Sequence, residues 1–215
     1  MSILVLHFLL EIAFLSIVFL HITKKNVGAI LAYGIQSLVI VFLLFNSYLE
    51  SAHLELLLVV ILALIVKVIL VPTFLIRLIQ KHELTFSIST YLNTPLTFIV
   101  LVFLIFIAYS NKFLPLTNIV PAHNEFLMLA LAMIFISLFL IVNRRGVISQ
   151  IIGILSLENS IVAFAVFAGL EQSPVLQIGI LFNIFIWSAI AMVFVSMIYK
   201  HFGSLDTQSM ENLKD

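Results

Sequence analysis

The sequence predicts an all-α, polytopic membrane protein with about seven transmembrane helices, and three observations carry that prediction. Of the 215 residues, 63% are hydrophobic and only 9% are charged. The mean hydropathy is +1.28, which is more apolar side chain than a globule of this size has interior to hide. The apolar residues also fall in successive runs of about 20, each long enough to cross a hydrocarbon layer about 30 Å thick as a helix.

The expected spans lie near residues 2–22, 27–49, 53–77, 93–111, 124–142, 147–170 and 174–200. The first lacks a basic start and a small-residue cleavage site and carries Glu11 at its centre, so it reads as a retained span, not a signal peptide. What lies between the runs is too short for a soluble domain. The chain divides into a three-helix bundle over 1–82, two connecting helices over 83–143, and two helices with a tail over 144–215.

Orientation follows from Lys and Arg. Lys24 and Lys25 follow the first span, Arg77 and Lys81 the third, Arg144 and Arg145 the fifth, and Lys200 and Lys214 the last, while the intervening loops hold only Lys112. The positive-inside rule then puts the N-terminus outside and the C-terminal tail in the cytoplasm. Seven crossings satisfy the pattern; six or eight break it.

Composition also excludes functions. Net charge is zero, no basic block exceeds two residues, and cysteine is absent. Nucleic acid is therefore not an expected partner, and disulfides, thiolate metal sites and iron–sulfur ligation are out of reach. Only His7 falls clearly within a span, where paired histidines at one depth are needed to ligate haem. Gly-rich phosphate loops and hydrolase or metalloprotease signatures are missing too, so no cofactor, no metal and no autonomous enzymatic activity are expected.

The polar residues inside the spans carry the functional signal, because an ionisable group in hydrocarbon costs several kcal/mol unless it finds a partner or water. Lys67 lies in LIVKVILVP, about ten residues (~15 Å) from the basic end of its helix. Pro72 lacks the N–H that would bond the Val68 carbonyl, so a helix kink and a free carbonyl are expected beside the lysine. The alternative is a lysine that snorkels to the interface. Glu158 is about eleven residues from either end of its span, too deep for its short side chain to escape. On that helix Ser149, Gly153, Ser156 and Ser160 form a small-residue stripe, roughly opposite Glu158, suited to close helix packing. The acid and the amine read either as a relay pair or as a structural ion pair.

Weaker signals accompany them. Glu11 and His7 stand one turn apart and read as a donor–acceptor pair, or as a neutral acid hydrogen-bonded within the bundle with His7 at the interface. Gln36 and Asn183 are intramembrane amides that serve as interhelical glue or orient water, and cannot titrate.

These residues resemble a family. Tyr33, Gln36, Ser37, Leu38 and Val39, then Lys67, Val68, Leu70, Val71 and Pro72, then Arg144 through Gly153, Glu158 and Asn159 look like hydrogenase-4 component E. The tail residues Gly203, Leu205, Asp206, Leu213 and Lys214 are similar to that family's closing pattern. The segment 144–215 also resembles the small three-helix K (4L) subunit of complex I and the C subunit of Mrp-type antiporters, with Glu158 about one helical turn later than the acid there. The resemblance implies a non-catalytic subunit of a bacterial inner-membrane complex, seated beside large antiporter-like subunits. One departure is Asn183, where the family carries an acid.

The resulting expectation is proton or cation relay through Glu158 and Lys67, with Glu11, Gln36 and Asn183 as further stations or water-orienting groups. A scaffold docking antiporter-like subunits, and a cation or inorganic-carbon transport module without a hydrogenase, are the competing expectations. A self-sufficient secondary transporter is disfavoured by the lack of an internal repeat.

Overall fold

A computed structural model of the chain describes residues 3–81, 89–113, 115, 124–169 and 197. The helices are α1 (Ile3–Ile22), α2 (Asn26–Ser51), α3 (Leu54–Ala63), α4 (Val71–Lys81), α5 (Thr94–Ala108), α6 (Asn124–Asn143) and α7 (Val147–Phe167). A π-helical stretch, Leu64–Leu70, joins α3 to α4 so that the three wind as one rod. Among the described residues there is no strand, only an isolated antiparallel bridge between Thr90 and Arg144. Six of the expected spans coincide with these rods; the seventh, 174–200, lies outside the described residues.

Long Leu, Ile, Val and Phe runs become helices because a helix satisfies every backbone N–H and C=O within itself, which lipid cannot do. Five described helices are long and apolar enough to cross a membrane, namely Ile3–Ile22, Asn26–Ser51, Leu54–Gln80, Glu125–Asn143 and Val147–Phe167. The shorter α5 has 15 residues, or about 22 Å of helix. Large apolar side chains such as Phe42, Ile69 and Phe106 stand exposed around the bundle, as a surface solvated by acyl chains requires.

Local chemistry ends the rods. Ala52 adopts a left-handed conformation with φ 55, and its N–H closes α2 on the Tyr48 carbonyl at 2.8 Å. That turns the chain into α3 within two residues. Asn93 caps α5 by accepting from the Leu96 N–H at 3.1 Å.

The segment before α5 is strapped to the end of α6 through Asn143, which is 2% exposed. Its carbonyl accepts from the Tyr91 N–H at 3.0 Å, its Oδ1 from the Leu92 N–H at 2.9 Å, and its Nδ2 donates to Thr97 Oγ1 at 3.3 Å. Arg144, next in sequence, turns the other way. Its guanidinium donates to the carbonyls of Leu20 and Thr23, covering two acceptors that the end of α1 would otherwise leave open. The Lys24–Lys25 and Arg144–Arg145 turns therefore meet at one end of the bundle. Burial pulls the Arg144 guanidinium down to about 10, still far above neutral pH, so it remains charged.

Candidate functional site

Two elements meet halfway along the bundle. Of the seven residues in the π-helical stretch, only Lys67 is buried, while Leu64, Ile65, Ile69 and Leu70 face outward. Winding with i→i+5 bonds admits an extra residue per turn and re-aims the side chains on it, a device found mostly at functional sites. The Val71 N–H closing on the Val66 carbonyl marks the end of that stretch, immediately before Pro72.

Lys67 Nζ lies 2.6 Å from Glu158 Oε1 and donates to Asn159 Oδ1 at 2.9 Å. Consecutive residues of α7 point about 100° apart, so this one turn clasps the ammonium from two sides. The lysine side chain is 1% exposed and the glutamate 18%. The cation is therefore fully enclosed, and both carboxylate oxygens are buried as well, so the exposed part of Glu158 is its methylene stem. The 2.6 Å ion pair with Lys67 is the one polar contact of the carboxylate oxygens among the described residues.

A second layer fixes the clasp. An ammonium only donates, so Asn159 must turn Oδ1 to it, which leaves Nδ2 to donate to Ser37 Oγ at 2.9 Å. Gln36 Nε2 donates to the Ser156 carbonyl at 3.2 Å, and that carbonyl also accepts from Ser160 Oγ at 2.9 Å. Ser137 of α6 lies with its Oγ 3.1 Å from that of Ser160 and 3.4 Å from that of Ser156. Gln36, Ser37, Ser137, Ser156, Asn159 and Ser160 are all 0% exposed. Tyr33 Oη and Gln36 Oε1 are likewise buried but have no hydrogen-bond partner among the described residues. Such orphaned atoms beside a buried carboxylate are where internal water belongs.

The small-residue stripe sits against α6. A Cβ built on Gly153 would stand 2.9 Å from Ile141 Cγ1 and 3.3 Å from the Ile141 backbone nitrogen, so only glycine allows this approach. Ser149 is buried and donates to the Gly146 carbonyl at 2.8 Å. Ser156 and Ser160 meet Ser137 as described.

The other expected site residues do not join the pair. Glu11 is exposed on α1 and has no hydrogen-bond or ion-pair partner among the described residues. His7 instead lies 3.9 Å from Glu125 at the head of α6. Asn183 falls outside the described residues. Sequence reasoning gave no role to Asn159, Ser37 or Ser137, which complete the polar layer, or to Arg144 beyond its charge. Ser37 and Asn159 adjoin Gln36 and Glu158, residues already singled out, whereas Ser137 is a lone serine in an apolar run.

Residues 125–215 match the family model for NADH-ubiquinone/plastoquinone oxidoreductase chain 4L. That is less than half of the chain. The matched part begins at the head of α6, one helix before the Arg144–Arg145 pair at which the resemblance to the K subunit was read. It thus holds Ser137, Glu158 and Asn159, while Lys67, Gln36 and Ser37 lie outside it. No curated protein and no solved structure matches the chain. Apolar helices and a chain 4L-like segment together indicate a multi-pass membrane subunit of a complex I-related complex.

Proposed function

We propose that this chain is a non-catalytic subunit of a hydrogenase-4-type relative of complex I in a bacterial inner membrane, where it contributes a titratable station to a proton path. The carrying observation is the Lys67–Glu158 contact of 2.6 Å at mid-helix depth, with a carboxylate that has no second partner among the described residues. A carboxylate saturated by fixed donors resists protonation. Here Lys67 is the one partner of the Glu158 oxygens among the described residues, and the unpartnered oxygens of Tyr33 and Gln36 are acceptors that an internal water bringing a proton would satisfy.

In this reading Glu158 takes a proton from a hydrated half-channel and Lys67 sets the local charge against which it does so. Asn159 keeps hold of the ammonium while the acid is neutral, because its acceptor is uncharged and unaffected by the transfer. Large antiporter-like subunits alongside supply the coupling. The N-terminus lies outside and the tail in the cytoplasm, in keeping with the basic turns meeting at one end.

The scaffold reading draws on the same ion pair. Glu158→Gln in the full complex separates the two. Relay predicts normal assembly on native gels with translocation into membrane vesicles reduced on the order of tenfold or more; reduced assembly with unchanged translocation per complex would leave only the scaffold.

A further inference from the structure

Glu11 is the ionisable residue that the Lys67–Glu158 junction leaves unexplained. It lies eight residues into the 20-residue α1, about 12 Å along the helix from its outer end. A glutamate side chain cannot span that distance to reach an interface. Yet Glu11 is exposed and has no partner among the described residues, and the nearby His7 is turned to Glu125.

The residues around it define a face. Leu4, Phe8, Leu15, Phe19 and Ile22 are 78%, 61%, 62%, 49% and 41% exposed. With Glu11 they recur at spacings of three and four, which draws one straight stripe down an α-helix. Along its lower half the stripe borders an apolar groove between α1 and α2, whose lining includes Leu15, Phe19, Gly28 and Leu31. Acyl chains would solvate the apolar members of this stripe and leave the acid stranded at its centre. A carboxyl group at that depth faces protein or water, almost never lipid.

We infer that the α1 stripe is a docking surface for a transmembrane helix of another subunit, and that this helix carries a lysine, arginine or histidine at the depth of Glu11. Complementary charge selects the occupant. A purely apolar helix would meet five of the six stripe positions and leave the acid unsatisfied, while a lipid satisfies it no better. The inference rests on the chain being a subunit, as proposed above, but not on the Lys67–Glu158 relay.

The chain has no cysteine, so single-cysteine variants report on one position each. Leu15→Cys and Phe8→Cys, introduced into the chain within the membrane-extracted complex, are expected to cross-link to a different subunit. Ile99→Cys on α5, where Ile99 is 64% exposed, serves as a reference for an outward-facing site. A spin label at Leu15 should lose access to lipid-dissolved oxygen at least threefold on assembly. Glu11→Leu should lower the amount of assembled complex about tenfold, and Glu11→Gln, which keeps hydrogen-bonding capacity, by less. A stripe label that keeps full oxygen access in the complex overturns the inference, and so do cross-links confined to this chain, for instance to residues 174–200. Wild-type chain that extracts alone, with no other subunit, sinks the subunit reading itself; co-extraction with a lipid-exposed stripe sinks only the docking surface.

Discussion

Lys67 and Arg144 are each 1% exposed, and the chain satisfies these two buried cations in different ways. Arg144 is held by the backbone carbonyls of Leu20 and Thr23, acceptors that never change charge. Lys67 is held by one neutral amide and one carboxylate. The first arrangement can only clamp helices together. In the second, a proton added to Glu158 removes half of the restraint and leaves the other half in place. In the proposed relay, what separates the two sites is the titratability of the acceptor, since both cations are equally shielded from solvent.

The largest effect expected from that difference is at the mid-bundle pair. Lys67→Met leaves Glu158 in a low-dielectric site without its cation and should cost about 3–5 kcal/mol, whereas adding Glu158→Gln removes the stranded charge and should restore most of the loss. Urea unfolding in detergent measures both. Equal losses in the single and double variants would show that the pair is not coupled.

Arg144→Met opens the Leu20 and Thr23 carbonyls and should cost about 1.5–3 kcal/mol, the range for hydrogen bonds to a charged group. Arg144→Lys should recover only part of it, because an ammonium lacks the planar fork that reaches two carbonyls at once. Translocation per assembled complex should be unchanged, in contrast to Glu158→Gln. The pH response sharpens the contrast. Burial lowers the Arg144 value from its ordinary one to about 10, so the folded chain binds this proton less tightly than the unfolded one. Its contribution is accordingly flat below about pH 10, and stability rises only from there up to the ordinary guanidinium value. Stability of wild-type chain minus that of Arg144→Met should therefore not vary between pH 6 and 9.

The smallest change acts on both regions at once. Gly153→Ala forces a methyl to within 2.9 Å of Ile141 and should cost about 1–2 kcal/mol through overpacking. By spreading α6 from α7 it should also loosen the Ser137–Ser160 contact. A thermal shift with no effect on translocation would show that the serine layer is packing alone.

Much of this architecture was legible in the chain. Six spans appear within a few residues of where the apolar runs put them, because a membrane helix is specified by length and hydropathy without help from its neighbours. Lys67 and Glu158 stood out for the same reason: a charge in an apolar run is conspicuous whatever it contacts. Asn159 and Ser37 did not stand out. A neutral polar residue in a span is common, and only the position of Lys67 gives Asn159 an ammonium to hold. Glu11 and His7 show the opposite failure, since i and i+4 neighbours can share a face without pairing when another helix offers Glu125 to the histidine.

Hydropathy, charge placement and the absence of cysteine are properties of the chain alone, and they were sufficient for the class, the spans and the list of costly residues. Which of those residues meet depends on helices distant in sequence. The π-helical winding that swings Lys67 inward, the glycine contact that brings α6 onto α7, and the clasp formed by Glu158 with Asn159 arise only when the rods pack. Burial energy is gained by whole surfaces fitting together, and no single segment encodes the surface it will face.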